Sequence, residues 1–275
     1  DSDDISLLFT ISNDATQGDY SGIIVSISSE NSYARTDTIK FLIGQPQTLF
    51  FDGFENELNN WIVDGDWGIT EEALNGSFAL TDSPEGEYGE NQETFAELIS
   101  NVNLDYLSNP MVTFSAKWDI ESNWDFVRFQ AFITDSGWVS LQGQFTEQGS
   151  GQPAQPFGQH GYDGSQDEWI DEVIYLDQLQ GEQISGFRFI QTSDNFVEGD
   201  GFIFDNFSIM GFPTGSMGDF NLDMSLDIFD LLGLADLLLF GNTPTEEQLF
   251  FCDLDGSGNL NIVDILALSN LILGM

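Results

Sequence analysis

Two acidic twelve-residue segments near the carboxyl end most restrict what this chain can fold into. They run from Asp219 to Asp230 and from Asp253 to Asp264, and they align as an internal duplication. Each places oxygen-bearing side chains at loop positions one, three, five, nine and twelve, with a backbone carbonyl expected at seven. This spacing lets one loop surround a hard cation before the chain enters a helix. Solvated turns explain neither the spacing nor the duplication, so the pattern predicts two Ca²⁺ sites.

The predicted ligands follow from loop position. We expect the first ion at Asp219, Asn221, Asp223, Ser225, Asp227 and Asp230, and the second at Asp253, Asp255, Ser257, Asn259, Asn261 and Asp264. Leu226 and Leu260 occupy position eight, where paired calcium loops normally join through a short β contact. Met224 stands at position six of the first loop, where Gly usually provides the sharp turn, so this loop is expected to bind Ca²⁺ more weakly.

The charge of the chain agrees with a requirement for cations. Its 275 residues include 47 acidic and only 5 basic side chains, which gives a formal net charge of −42. Such self-repulsion opposes a compact state unless cations neutralise it. Binding to nucleic acid is disfavoured because phosphate contacts need clustered Lys and Arg, and the basic residues here are scattered. Membrane insertion is not expected, since no apolar run approaches the ~20 residues of a spanning helix.

Helical spacing of apolar residues follows each acidic loop. It predicts helices from Asp227 to Phe240 and from Asn261 to Leu273, with a short connecting helix that starts at Thr245 after Pro244. Cys252 is the single cysteine, so an intrachain disulfide is impossible and a small buried apolar role is expected.

These features resemble dockerin domains, which carry two calcium loops, each followed by a helix, with Asp at position twelve. Asp230 and Asp264 match that pattern, and the entering helix of an ordinary EF-hand is missing before both loops. Dockerins bind cohesins through positions ten and eleven. The resemblance therefore implies contact residues Ile228, Phe229, Ile262 and Val263. Their partner is either a cohesin-like domain or the β-domains of the same chain.

The stretch from about Gln45 to Phe212 has a β pattern. Aromatic residues alternate along short segments that include Met111 to Trp118, Phe126 to Ile133, Trp138 to Gln142, Gly186 to Thr192 and Gly201 to Ile209. Loops rich in Gly, Asn, Asp and Pro separate them, which favours a two-sheet sandwich or jelly roll.

This middle part resembles the jelly-roll domain of immune inhibitor A metallopeptidases. The resemblance rests on the segments from Leu49 to Glu55, Thr81 to Tyr88, Trp118 to Asp125 and Thr192 to Phe207. Such domains look like adhesive MAM domains and like carbohydrate-binding jelly rolls, and they often hold a structural Ca²⁺. Carried over to this chain, the resemblance implies a further site at Asp52, Glu55 and Asp205.

The first 44 residues predict three strands, near Ile5 to Ile11, Gly22 to Ser28 and Thr38 to Ile43. An immunoglobulin-like sandwich needs about seven strands. We therefore expect either the end of a larger domain or an open sheet that is completed by the next domain or, through strand exchange, by another copy of the chain.

Catalysis is not expected. His160 is the single histidine, so neither a two-His zinc site nor an HExxH motif is possible, and no GxSxG motif occurs. Trp124, Trp138 and Trp169 offer stacking surfaces for a glycan as an alternative function, although core packing would also explain them.

The expected architecture is mostly β with a small all-α module at the end. It comprises a partial Ig-like sheet (1–44), a jelly-roll β-sandwich (45–212), a linker (213–217) and a dockerin-like calcium module (218–275). The chain starts without an initiator Met or signal peptide, so we expect a processed piece of a secreted bacterial protein, a peptidase or other hydrolase. Its expected roles are docking, attachment or assembly.

Overall fold

The structure is a computed structural model that describes residues 15, 18, 20–28, 34–99, 104–179 and 183–274. The chain divides into two compact units, Asp1–Gln47 and Thr48–Met275. The first unit contains an antiparallel hairpin of β1 (Tyr20–Ser28) and β2 (Ala34–Leu42). These strands confirm two of the three predicted ones. The strand expected from Ile5 to Ile11 lies outside the described residues.

The second unit begins with short strands and continues with long ones. Its strands are β3 (Gln47–Asp52), β4 (Trp61–Asp64), β5 (Gly68–Thr70), β6 (Ala79–Thr81), β7 (Glu93–Leu98), β8 (Leu107–Ile120), β9 (Phe126–Ile133), β10 (Gly137–Ser140), β11 (Glu147–Gln148), β12 (His160–Gly161), β13 (Gly164–Tyr175), β14 (Ile184–Thr192) and β15 (Gly201–Pro213). A short 3-10 helix, Leu176–Leu179, separates β13 from β14.

Two antiparallel sheets form the sandwich. One has the strand order β10-β9-β14-β7-β4, and the other has the order β13-β8-β15-β6-β5, with β3 also pairing β15. Alternate residues of each strand point inward, and the inward ones are largely aromatic. Phe189 of the first sheet packs on Phe204 and Phe114 of the second, with ring centroids 4.1 Å and 5.1 Å apart. The predicted mostly β fold with a two-sheet core is confirmed.

Three helices follow the sandwich, and their ends are defined by side-chain caps. They are α1 (Ile228–Phe240), α2 (Glu246–Cys252) and α3 (Ile262–Leu273). Asp227, Thr245 and Asn261 are the N-caps, and each forms a reciprocal capping box with the third helical residue. These caps lie where the sequence predicted the helices to begin.

The helical module has its own core and also contacts the sandwich. Leu234, Phe251, Cys252 and Leu268 are buried together, which confirms the apolar role expected of the cysteine. Tyr106, in the turn before β8, packs against Phe250 and Phe251 with ring centroids 5.3 Å and 5.9 Å away. Its carbonyl oxygen also accepts hydrogen bonds from Thr214. Residues 213–217, which were expected to form a linker, are therefore held against both the sandwich and the helical module.

Leu226 and Leu260, at position eight of the two loops, pack on the core of this module. The sequence predicted a short β contact between these two residues. Among the described residues, the isolated β-bridge outside the named strands joins Val127 and Tyr162, so the predicted contact does not form. Of the helices in the part of the chain that the structure describes, none is both long and apolar enough to cross a membrane.

A buried carboxylate, Asp82, lies where β6 meets the start of β15. Its Oδ1 accepts the backbone N–H of Phe202 at 2.8 Å, whereas its Oδ2 is buried without a hydrogen-bond partner. Desolvation by burial raises the pKa of Asp82 to about 7, and the charge of Asp200 adds to the effect. Because the folded pKa exceeds the unfolded value, ionisation of this group destabilises the fold.

We expect the D82N variant to be more stable than the parent at pH 8. The stabilising contribution of neutral Asp82 is complete below its unfolded pKa near 3.8 and is lost as the pH rises through about 7. The difference in unfolding free energy should thus be near zero at pH 3.5 and rise to at most ~4 kcal/mol at pH 8. Calorimetric melting across this range measures it, and D135N, at an exposed turn, is the control. A pH-independent difference would contradict this assignment.

Candidate metal centre

The first residue of each acidic loop fixes the loop backbone. Asp219 accepts the backbone N–H of Asp223 at 3.1 Å and of Met224 at 2.7 Å. In the second loop, Asp253 accepts the N–H of Ser257 at 3.0 Å and of Gly258 at 2.7 Å. Equivalent positions therefore make equivalent hydrogen bonds, so the duplication seen in the sequence extends to the geometry.

The position-twelve carboxylates close both loops. Asp230 and Asp264 are each 0% exposed. Asp230 accepts hydrogen bonds from the backbone N–H groups of Asn221 and Asp227, at 3.2 Å and 2.8 Å. Asp264 accepts the corresponding bond from Asn261 at 2.8 Å and a further one from Leu254 at 2.8 Å. Each carboxylate thus joins the loop entrance to the helix N-cap.

The remaining predicted ligands line the same two loops. Asp227 and Asn261 are the helix N-caps, and their Oδ1 atoms accept the N–H of the second helical residue, at 2.8 Å in both cases. Residues at positions three, five and seven lie along the loop rims. They are Asn221, Asp223 and Ser225 in the first loop, and Asp255, Ser257 and Asn259 in the second.

Carboxylate oxygens converge most closely in the second loop. One oxygen each of Asp253, Asp255 and Asp264 lies within 4.8 Å of the other two. Desolvation raises the pKa of Asp253, and the negative charge of Asp264 contributes to the rise. A hard divalent cation would relieve this repulsion, and oxygen-rich loops are the ligands that Ca²⁺ prefers. In the first loop, Asn221 replaces Asp255, but Asp223 and Asp227 stand where the second loop has Ser257 and Asn261. The first loop therefore carries one carboxylate more than the second, although its carboxylates are less concentrated at positions one, three and twelve.

The two loops also differ in backbone strain. Positions four and six have positive φ in both loops: Gly256 and Gly258 have φ of 69° and 78°, and Leu222 and Met224 have φ of 60° and 65°. Glycine adopts this left-handed conformation freely, whereas a side chain makes it costly by about 1–2 kcal/mol per residue. The unusual residue at position six, Met224, was recognised from the sequence. The strain at Leu222 was missed, because position four carries no metal ligand.

The four predicted partner-contact residues are solvent-exposed. Ile228 and Phe229 are 52% and 64% exposed, and Ile262 and Val263 are 63% and 47% exposed. One helical turn further on, Leu232 and Leu266 are also exposed, so each helix presents a longer apolar strip than the sequence suggested. The contact with the sandwich is made by Phe250 and Phe251 instead.

The three acidic residues predicted in the sandwich mainly accept backbone hydrogen bonds. Asp205 is buried and accepts the N–H groups of Leu74 and Asn75 at 3.0 Å and 2.9 Å. Glu55 binds the next part of the same loop through Ser77 N–H at 2.6 Å. Asp52 accepts Trp61 Nε1–H at 3.0 Å. The three are not among the carboxylate groups that converge within 4.8 Å in the described part of the chain.

A different carboxylate group converges at one end of the sandwich. Glu121, Asp125 and Asp194 bring carboxylate oxygens within 4.8 Å of one another. Desolvation raises the pKa of both Glu121 and Asp125, and repulsion from Asp194 and Glu198 adds to the rise. Asp125 also accepts the Tyr88 hydroxyl at 2.8 Å. Sequence reasoning missed this group, because its members come from two loops that the fold alone brings together.

Three tryptophans with potential stacking surfaces lie on separate parts of the sandwich. Trp124 is in the loop before β9, Trp138 is on β10 of one sheet, and Trp169 is on β13 of the other. They do not form one platform.

Residues 217–273 match the family model described as dockerin type I domain. The C-terminal module is therefore a dockerin domain, as its calcium loops and helices indicated. A dockerin is a non-catalytic docking module, which agrees with the expectation of no catalysis for this part of the chain. No curated protein matches the chain.

Several solved structures are similar to the sandwich at low identity. The CBM22-1 xylan-binding domain of Paenibacillus barcinonensis Xyn10C is 14% identical with a TM-score of 0.38, and the match covers 61% of this chain and 96% of that one. The K3 cleaved adhesin domain of Lys-gingipain from Porphyromonas gingivalis W83 is 11% identical with a TM-score of 0.39, over 60% and 99% of the two chains. These similarities are too weak to indicate a function. The specific resemblance to immune inhibitor A and MAM domains stays a prediction.

Relieving backbone strain in the first loop should strengthen its calcium binding. Met224 is 83% exposed, so the M224G substitution removes the left-handed strain without loss of packing. We expect the Ca²⁺ affinity of the first loop to rise several-fold and that of the second to stay unchanged. This rise corresponds to about 1 kcal/mol of binding free energy. The matched variant G258M introduces the same strain into open space and should weaken the other site. Calcium titration calorimetry measures both. Equal affinities in all three proteins would show that the strain has no effect on binding.

Proposed function

We propose that the dockerin domain binds two Ca²⁺ ions and, in its calcium-loaded state, docks onto a cohesin-type domain. The observation that carries this proposal is the duplicated combination of a carboxylate loop and an exposed apolar strip. The six side chains predicted in each loop are the proposed ligands. Ile228, Phe229, Ile262 and Val263, together with Leu232 and Leu266, form the proposed contact surface.

The proposed metal sites and the apolar strips lie on the same two helices. Asp219, Asp230 and Asp264 are almost fully buried and Asp253 is partly buried, and the position-twelve carboxylates hold the loop entrance and the helix N-cap together. Their mutual repulsion opposes this arrangement until a cation neutralises it. Since α1 and α3 start at these loops, Ca²⁺ would order the helices that carry the apolar strips.

Exposed apolar strips of this size favour a protein partner. Ile228, Phe229 and Leu232 lie on consecutive turns of α1, and their equivalents lie on α3. Large apolar side chains left in water on a small module are a typical sign of a binding surface. Their position at the start of each helix agrees with the contact positions that the dockerin resemblance implied.

We further propose that the chain is the accessory region of a secreted bacterial protein. The sandwich, from about residue 45 to 212, would be an attachment module, and the first 44 residues would belong to an Ig-like domain. A parent hydrolase, such as a peptidase, is consistent with the immune inhibitor A resemblance. A self-assembling subunit completed by strand exchange is the alternative for the N-terminal hairpin.

Removal of calcium should destabilise the dockerin domain. With EDTA, we expect a lower melting temperature and faster proteolysis within α1 and α3, because the repelling carboxylates then lack a counter-ion. Limited proteolysis followed by mass spectrometry locates the cuts, and the sandwich strands serve as the internal reference. Unchanged melting and cleavage in EDTA would refute the calcium assignment.

Docking should depend on the apolar strips. We expect the variant with I228S and F229S combined with I262S and V263S to lose at least about tenfold in affinity for a calcium-loaded type I cohesin. L239S is the matched control, because Leu239 is also exposed on α1 but lies at its other end. Surface plasmon resonance with a panel of cohesins provides the measurement. If no cohesin binds at micromolar concentration while Ca²⁺ is bound, the docking proposal fails and the metal assignment survives.

A further inference from the structure

One aromatic side chain of the sandwich packs on the helix that leads into the second acidic loop. Tyr106, in the turn before β8, contacts Phe250 and Phe251 near the end of α2, with ring centroids 5.3 Å and 5.9 Å away. Phe251 is 2% exposed and belongs to the core of the helical module, and Tyr106 packs against that core. The sandwich therefore reaches the interior of the helical module through the Tyr106 ring.

The end of α2 also holds the first proposed ligand of the second loop. Asp253 is the C-cap of α2, and its backbone N–H donates to Leu249 O at 3.0 Å. Its carboxylate accepts the N–H groups of Ser257 and Gly258 and so fixes the loop backbone. Asp253 belongs to the helix and to the loop at once. Because a helical turn is stiff, the position of α2 determines the position of this carboxylate.

A hydrogen bond connects α2 to the first loop as well. Gly218, the residue before Asp219, donates its backbone N–H to Phe251 O at 2.7 Å. Gly218 has a φ of 89°, and a Cβ there would lie 2.7 Å from Leu268 and 2.9 Å from Leu226, so this position requires glycine. The entrances of both loops are therefore joined at Phe251.

The segment after β15 completes the contact between the sandwich and α2. Thr214 donates its backbone N–H and its hydroxyl to Tyr106 O, at 2.9 Å and 3.1 Å. At Gly215, a Cβ would lie only 2.8 Å from the Phe251 ring, so the backbone passes this closely because glycine has no side chain. We call Tyr106, Thr214, Gly215 and Phe251 the Tyr106 interface.

We propose that Tyr106 is a positioning residue for calcium binding, so that the sandwich sets the Ca²⁺ affinity of the helical module. This inference rests on the proposed binding of Ca²⁺ by the two loops. Tyr106 acts through α2, which carries Asp253 at its end, rather than on the ion. Because coupling between two sites is reciprocal, Ca²⁺ in the loops also stabilises the Tyr106 interface. The helical module is therefore held against the sandwich more firmly with Ca²⁺ than without it.

Calcium titration calorimetry of the whole chain tests this coupling. We expect Y106A to weaken Ca²⁺ binding at the second loop by about three- to tenfold, because α2 then loses both ring contacts. Y106F keeps the ring and should bind Ca²⁺ like the parent. F157A is the control, since Phe157 is 81% exposed in the loop before β12. A purely structural role of Tyr106 would lower the melting temperature of Y106A and leave its Ca²⁺ affinity unchanged.

A second variant changes the Tyr106 interface from its other side. G215A places a methyl group against the Phe251 ring and should also weaken Ca²⁺ binding. Hydrogen exchange of the Thr214 amide, followed by NMR, should be slower in Ca²⁺ than in EDTA. Parent-like affinity in both Y106A and G215A, or equal exchange with and without Ca²⁺, refutes the coupling while calcium binding stands. If the parent chain binds no Ca²⁺, the proposed function fails together with this inference.

Discussion

The buried carboxylate that accepts backbone N–H bonds is the interaction on which this structure depends. In the helical module, Asp230 and Asp264 each join a loop entrance to a helix N-cap, so one side chain determines both the loop shape and the start of the helix. A neutral amide would offer one acceptor oxygen in place of two. Asp264 also brings a carboxylate oxygen within 4.8 Å of those of Asp253 and Asp255, so a cation held there would stabilise the same local fold.

The sandwich uses the same interaction without helices. Asp205 and Glu55 hold the loop before β6, and Glu172, which is fully buried, accepts N–H groups of Gln144 and Phe145 as well as the Tyr162 hydroxyl. Loops at the sheet ends cannot satisfy their N–H groups by strand pairing, so an internal acceptor replaces the missing partner. Part of the unusual acidity of the chain therefore serves its internal architecture.

Local sequence signals predicted the elements that local physics determines. The strand from Phe126 to Ile133 agrees with the structure residue for residue, because an apolar residue recurs at every second position to fill the core. The helix starts agree because Asp227, Thr245 and Asn261 cap them. The convergence of Glu121 with Asp194 could not be predicted. It depends on which strands become neighbours, and in antiparallel sheets that order is set by long-range packing that a single sequence does not reveal. The stacking of Arg188 on the Trp138 ring, 4.3 Å from its centroid, was missed for the same reason.

The contact of Tyr106 with Phe250 and Phe251 has a mechanical consequence. Domains joined by a free linker sample many orientations, and a bound partner would then move on a flexible tether. Here the connection after β15 is hydrogen-bonded to Tyr106, whose ring also packs on α2. A pulling force applied through the helices would pass directly into the strands of the sandwich. The chain thus resists extension at the junction where modular proteins are usually most compliant.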